Sequence, residues 1–559
     1  MSTGFSADRG GHQRPGPDHS DVDRGFVPFP PDRAAEYRRA GYWTGRPLDS
    51  ILTEAAASWP QRAAVVDPAL TYSFAELDAV ADRVAGGLAD LGIAEGDRVL
   101  LQLPNSSQFA VALFGLLRAG AVPVMCLPGH RTAELGHFAD ISGAVALIIA
   151  DRVGGFDYRD MAAQLTAQHP ALRHVIVDGD SGPFIPWSAV VERDGPPVQR
   201  RPVDPELPAL LLVSGGTTGL PKLIARTHDD YVYNAVACAK ACHLTGDDAY
   251  LVALPAGHNF PLACPGLLGS MTVGATTVFT ADPSPESAFP LIDRHNITVT
   301  GLVNALAKVW AQACDWEPVL PTSLRFVQVG GSRMSPEEAR FILDKLTPGL
   351  SQIFGMAEGM LNFTRPGDPV DVVVNTQGRP MSPHDEMRVV DENGDEVPPG
   401  EEGELLVRGP YTLNGYYRAD DANARSFSPD GFYRTGDRVR IFADGPRAGY
   451  VEVVGRIKDV IHRGGETVSA TDLEDHLHTH PAIYAAAAVA IPDDYLGEKI
   501  CAAVVFRGKP ITLAEVNAFL DERGASTHAR PDVLAPMPSL PTTPVGKVDK
   551  KQVVARLTQ

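Results

Sequence analysis

From about residue 47 the chain alternates amphipathic helical stretches with short apolar, β-branched runs, and this alternation limits the folds open to it. Residues 74–91 (FAELDAVADRVAGGLADL) carry apolar side chains at helical spacing. Residues 98–103 (RVLLQL) read as a strand ending at Pro104, 108–118 as a helix and 121–126 as another strand. Strands recurring after helices imply an α/β architecture with much parallel sheet. Around 386–409 the texture changes to EMRVVDENGDEVPPGEEGELLVRG. There the DENGDE turn is expected to act as a hairpin connection, so a β-rich subdomain should follow the α/β part. Another small α/β unit starts near Gly455. A chain of 559 residues is too long for one core, so two or more domains are expected.

Composition narrows the function classes. Lys and Arg number 49 against 69 Asp and Glu, a net charge of −20 that argues against general nucleic-acid or anionic-membrane binding. Residues 1–25 are rich in Gly, Asp and Arg without an apolar core, and read as a disordered lead-in, not a signal peptide. No run approaches the roughly 18 apolar residues of a membrane span, and the most apolar stretches, such as 144–150 (AVALIIA), suit buried strands. The six cysteines (126, 238, 242, 264, 314 and 501) form no CxxC pair, so a reduced, cytoplasmic setting is expected. Cys238 and Cys242, four apart on a predicted helix, read as small buried hydrophobes.

Residues 214–222, SGGTTGLPK, directly follow the apolar stretch 207–213. A strand opening into such a loop gathers bare N–H groups at Gly215 and Gly216, hydroxyls at Ser214, Thr217 and Thr218, and a cation at Lys222. These groups suit a polyphosphate. The usual P-loop signature is absent, because Lys222 follows Pro221 and precedes Leu223. On its own the loop could equally be a flexible linker. The HLHTH run at 476–480 prompts a metal check, but TDLEDHLHTHPAI reads as an amphipathic helix before a proline, on which the histidines would not converge.

Further segments then fall in order: LPAGHNFPL (254–262), VGGSRM (329–334), QIFGMAEG (352–359), YRTGDR (433–438), GRIKDVIHRGGETVS (455–469) and PTTPVGKVDK (541–550). In order and spacing they resemble the core motifs of the adenylate-forming superfamily: acyl-CoA synthetases, nonribosomal-peptide adenylation domains and luciferases. The resemblance covers nearly everything after the lead-in. HNFPL and FGMAEG are most similar to the stand-alone aryl-acid adenylating enzymes of siderophore synthesis. The resemblance implies a large N-terminal domain over 26–457 and a mobile C-terminal domain over 458–559 that swings about Lys458. It also implies that a carboxylate attacks the α-phosphate of ATP to give acyl-AMP and pyrophosphate, and that a thiol then takes the acyl group.

The same resemblance assigns roles. Lys547 would bridge the acid carboxylate and the α-phosphate, where preorganised charge supplies several kcal/mol. Lys222 and the Thr217 and Thr218 hydroxyls would follow the outer phosphates. Glu358 would help hold Mg²⁺, and Asp437 would accept from both ribose hydroxyls. Gly331 and Ile353 would line the adenine and ribose, and Arg456 would reach the ribose or phosphate. His258 would belong to a moving aromatic gate, and Gly465 would leave room in the channel for a pantetheine arm. The chain stops nine residues past Lys550, so the thiol is expected from the phosphopantetheine of an aryl carrier protein acting in trans.

Three positions speak to the acid. Asn259 resembles the amide that meets the carboxylate and ortho-hydroxyl. Cys264 stands where dihydroxybenzoate-activating relatives usually carry serine, and a thiol is a weak partner for a 3-hydroxyl. Leu361 is bulkier than the valine common in those relatives. Both changes point to salicylate, although Cys264 and Leu361 also read as interchangeable packing residues. The alternatives are a 2,3-dihydroxybenzoate ligase, an aryl-CoA ligase using free coenzyme A and a non-catalytic nucleotide-binding regulator.

Overall fold

The computed structural model describes residues 25–193, 195, 203–214, 221–457, 459–463, 466–493, 495–523, 529–544 and 546–558. Gly215, Gly216, Thr217, Thr218, Lys458 and Gly465 lie outside the described residues.

Local sequence signals set the elements. Ser73 accepts from the Glu76 N–H while Glu76 reaches back to Ser73, a capping box that starts the helix Phe74–Asp90. The helix Ser107–Arg118 is buried on nearly every side, as its apolar run 109–117 requires. These two helices lie between two sheets. One has nine strands and includes β3 (Val299–Val303), β4 (Phe326–Gly330), β5 (Leu350–Met356) and β6 (Gly359–Phe363); β3 to β5 run parallel and β6 returns antiparallel. The other has seven and includes β1 (Pro208–Val213) and β2 (Leu223–Thr227), an antiparallel pair at one edge.

Alternate residues of the central strands enter different cores. Val99 and Leu101 face the layer between the sheets with Phe74, Phe109 and Phe114, while Leu100 faces outward onto Phe138 and Leu165. Likewise Tyr250 and Val252 face inward, and Leu251 packs outward with Phe289 and Trp310. Strands buried on both faces explain the continuous apolar runs such as ALIIA. Truncating a side chain such as Phe114 to Ala should cost about 3–5 kcal/mol.

A four-stranded antiparallel sheet follows, including β7 (Tyr433–Ile441) and β8 (Val451–Arg456). Its first hairpin pairs Glu386 with Arg408 through Val390 with Glu404, so the connection spans 391–401. DENGDE closes only its first part, where Val390 meets Glu396. Pro398 and Pro399 then supply no N–H for a ladder, which lengthens the loop beyond the expected turn.

The last unit has its own five-stranded sheet and its own core of Ile461, Leu473, Leu477, Ile500, Val516 and Leu520. Its helices include α3 (Ala470–His478) and α4 (Lys550–Leu557). His478 Nε2 accepts from the Ala486 N–H and His480 Nδ1 from the Ala482 N–H, so these two histidines fix backbone. No described helix is long and apolar enough to cross a membrane.

Candidate active site

Ser214 and Lys222 stand where the β1–β2 hairpin ends, on either side of residues 215–220. Ser214 N–H donates to the Lys222 carbonyl at 2.8 Å, and Lys222 N–H donates to Ser214 Oγ at 2.9 Å. The neck of the loop is thereby fixed. The Lys222 ammonium lies 4.9 Å from the centre of the Tyr416 ring, a cation–π contact that holds the charge beside the next group of residues.

Glu358 is buried in the turn between β5 and β6. Its Oε1 accepts from the Tyr416 hydroxyl at 2.9 Å, and that hydroxyl accepts from Tyr433, also at 2.9 Å. Burial first, and then the neighbouring Glu358 carboxylate, push the Tyr416 hydroxyl far above its ordinary pKa, so it stays a neutral donor. Asp437 and Arg456 are register partners on β7 and β8 and form an ion pair at 2.9 Å. Burial raises the Asp437 carboxyl, and the Arg456 and Lys547 charges pull it back.

Lys547 reaches this group from the small unit. Its loop is a tight hairpin in which Thr543 N–H donates to the Lys547 carbonyl at 2.7 Å and Gly546 N–H donates to the Thr543 carbonyl at 2.9 Å. Gly331, at the end of β4, has φ +94°, and a methyl group there would lie 3.1 Å from Lys547 Cε. Any larger residue would be strained and would press on the lysine. Burial lowers the Lys547 pKa and Arg456 adds to it, while Asp437 and Glu358 oppose them. The structure therefore brings Lys547, Glu358, Asp437, Arg456 and Gly331 together, as the motifs imply. Ile353 is buried opposite Gly330 on β5.

Of the residues expected to meet the acid, Asn259 lies on α2 (Asn259–Ala263) and Cys264 directly follows it. His258 caps this helix, its Nδ1 accepting from the Phe260 N–H at 3.3 Å. Burial, reinforced by the nearby Lys547 charge, lowers its pKa to about 3, so the ring is neutral with its proton on Nε2. The Asn259 amide donates to Cys264 Sγ at 3.4 Å, joining two of the three predicted residues directly. Gln328 Nε2 donates to the Cys264 carbonyl at 3.2 Å and fixes that turn from below. Leu361 sits on β6 across from Gly355, where a Cβ would come 2.3 Å from Leu361 Cδ2. Only glycine at 355 leaves that leucine its place.

Sequence reasoning missed Tyr416, Tyr433 and Phe260 as site residues. Phe260 packs over Gly301 and Gly330, where added Cβ atoms would lie 3.1 and 3.6 Å from its ring. Phe260 and Tyr433 stand inside motifs already noted, HNFPL and YRTGDR, whereas Tyr416 has no local signal.

Comparison with known proteins fits this geometry. The AMP-binding enzyme family matches residues 52–417, and the AMP-binding enzyme C-terminal domain matches 472–547. The chain is 64% identical over 98% of its length to the salicyl-AMP ligase / salicyl-S-ArCP synthetase of Mycobacterium tuberculosis, covering 96% of that protein. It is 46% identical over 94% of its length to the 2,3-dihydroxybenzoate-AMP ligase of Bacillus subtilis, covering 97% of it. The apo structure of Mycobacterium smegmatis MbtA superposes with a TM-score of 0.77 at 64% identity, covering 96% of this chain and 99% of that one. With a lysine loop from the small unit set into a site built by the large one, and both family domains matched in order, the chain belongs to the AMP-binding enzyme family.

Proposed function

We propose that this chain is an aryl-acid adenylating ligase. It joins salicylate to AMP at the expense of ATP, releasing pyrophosphate. It then passes the salicyl group to the phosphopantetheine thiol of an aryl carrier protein supplied in trans, releasing AMP, as a step of mycobactin-like siderophore synthesis in the cytoplasm. The observation that carries the reading is Lys547, set against Gly331 within the field of Asp437, Glu358 and Arg456. That position suits a cation needed where a carboxylate oxygen attacks the α-phosphorus and pyrophosphate leaves. Salicylate rests on Asn259 and Cys264, and on 64% identity to a protein named for salicyl-AMP.

Each residue has a task in this reading. The loop from Ser214 through Gly215, Gly216, Thr217 and Thr218 to Lys222 wraps the outer phosphates. Asp437 accepts from the ribose, Arg456 reaches the ribose or phosphate, and Gly331 and Ile353 line the nucleoside. Glu358 fits Mg²⁺, since Tyr416 occupies one carboxylate oxygen and leaves the other for a hard cation. The ion would neutralise phosphate charge. Neutral His258 gates the acid pocket without adding a second positive charge beside Lys547. The domains divide at Lys458, which serves as the hinge, and Gly465 lines the pantetheine channel once the small domain has turned.

The test is acid-dependent ATP–pyrophosphate exchange with salicylate, 2,3-dihydroxybenzoate and benzoate, followed by acyl transfer to coenzyme A and to a phosphopantetheinylated aryl carrier. Highest kcat/KM with salicylate and transfer to the carrier are expected. Exchange without acid dependence would overturn adenylation, and transfer to coenzyme A alone would make the chain an aryl-CoA ligase.

A further inference from the structure

Asn259 has to present N–H groups, not its carbonyl, if it is to meet the oxygen atoms of an ortho-hydroxy acid, yet an amide can sit either way round. The structure holds one of the two orientations in place. Tyr231, buried on α1 (His228–Ala241), donates its hydroxyl hydrogen to Asn259 Oδ1 at 2.8 Å. With the carbonyl occupied, the Nδ2 end turns to Cys264 Sγ at 3.4 Å. One of its two hydrogens is used there and the other is left for the acid.

Tyr231 is itself rigidly placed. Strand β2 runs straight into α1 through Thr227, whose side chain accepts from the Asp230 N–H while Asp230 accepts from the Thr227 N–H. Asp230 also accepts from Arg226 Nε at 2.8 Å, and the Arg226 guanidinium stacks 4.6 Å above the Tyr231 ring. Arg226 further reaches the carbonyls of Ala357 and Tyr411, so the stack is anchored on two other segments. Burial holds the Tyr231 hydroxyl far above its ordinary pKa, so it remains a donor throughout the working range.

We infer that Tyr231 is a positioning residue for acid recognition: it fixes the Asn259 amide with its N–H groups toward the pocket, so that an ortho-oxygen on the ring is favoured. This deepens the proposed function and rests on it. Tyr231 needs no contact with the acid, because it acts through Asn259.

The experiment compares kcat/KM for salicylate and benzoate in ATP–pyrophosphate exchange, using wild type, Tyr231→Phe, Asn259→Ala and the double variant. Phenylalanine keeps the ring and the Arg226 stack and removes only the donor. The salicylate-to-benzoate ratio should fall about three- to tenfold in Tyr231→Phe, the loss of one oriented hydrogen bond. On the Asn259→Ala background the same change should leave the ratio within about twofold, since coupled residues are not additive. A parallel fall for both acids in Tyr231→Phe, or the same ratio loss on the Asn259→Ala background, would assign Tyr231 a merely structural role and overturn the inference. Asn259→Asp gives an independent check, because it keeps an acceptor for Tyr231 but faces the pocket with an acceptor too. Its salicylate exchange should collapse, and wild-type exchange in that variant would also overturn the inference. A wild type that does not prefer salicylate to benzoate would instead sink the salicylate reading, and the inference with it.

Discussion

Arg333 Nη1 donates to Asp475 Oδ2 at 2.9 Å, tying the turn that holds Gly331 to helix α3 of the small unit. Arg333 also reaches Glu452 at 3.4 Å, so the bridge is braced on the β-rich sheet. In this pose Lys547 lies against Gly331, so the ion pair and the delivered lysine belong to the same arrangement of the two units. Burial raises the Asp475 pKa to about 6 although Arg333 opposes it. The carboxylate is therefore ionised, and the bridge complete, above about pH 6. As pH falls through that value Asp475 takes up a proton and the bridge weakens. Asp475→Asn should lower exchange about two- to fivefold at pH 8 and spare acyl transfer from supplied acyl-adenylate. The gap between wild type and variant should close below pH 6. A gap that is constant with pH would show that the Asp475 charge does not hold the pose.

Lys547→Ala should divide the two half-reactions more sharply. In the proposed function the ammonium meets the negative charge that develops on the α-phosphate, and removal of such a group typically costs about 10²- to 10³-fold in rate. Transfer of the salicyl group from supplied salicyl-AMP should persist, because the lysine is proposed to leave the site before the thiol arrives. Single-turnover assays of each half-reaction measure the split. Equal loss in both would mean that Lys547 serves thiolation as well.

Much of this site was legible because its residues sit in short runs whose order along the chain is distinctive. Lys547, Asp437, Glu358 and Gly331 are far apart in sequence, yet each stands in a motif, and the strands, turn and loop carrying them converge. The helix Phe74–Asp90 could be read from its period, with capping in agreement, and the strand Arg98–Gln102 from its short apolar run before Pro104. Tyr231 and Tyr416 could not. Their hydroxyls donate to partners 28 and 58 residues away, and no spacing rule encodes such a contact. The extended 391–401 connection was missed for a different reason: the DENGDE turn signal was real, but two prolines after it delay the next ladder.

Asp385 gives a stability test of a buried charge. Its Oδ2 accepts from Tyr411 at 2.6 Å and Ser382 at 3.0 Å, while Oδ1 is buried without a partner. Burial raises its pKa to about 7. The unfolded chain loses this proton near pH ~4 while the folded chain keeps it to about 7, so the group's contribution to stability falls as pH rises across that window. Asp385→Asn keeps an acceptor for Tyr411 and removes the charge. Its Tm should equal that of wild type near pH 4, then exceed it increasingly, levelling above pH 7 at about 2 °C or more. A pH-independent difference between the two melting curves would rule out the buried charge as the cause.

Specificity at the ring's 3-position can be tested with Cys264→Ser combined with Leu361→Val. Cys264 Sγ already accepts from Asn259, so in the proposed pocket the thiol tunes the amide as well as facing the ring. A serine oxygen accepts that N–H more strongly, and its own hydrogen is free for a 3-hydroxyl. Valine at 361 removes one methylene from the side chain packed over Gly355, which in the proposed pocket gives the added hydroxyl room. One added neutral hydrogen bond is worth roughly 0.5–1.5 kcal/mol net. The kcat/KM ratio of 2,3-dihydroxybenzoate to salicylate should therefore rise a few-fold to about tenfold. Salicylate should remain a substrate, since Asn259 and its Tyr231 brace are untouched. An unchanged ratio would mean that these side chains do not read the 3-position, and discrimination would then have to lie in the Asn259 amide and its supports.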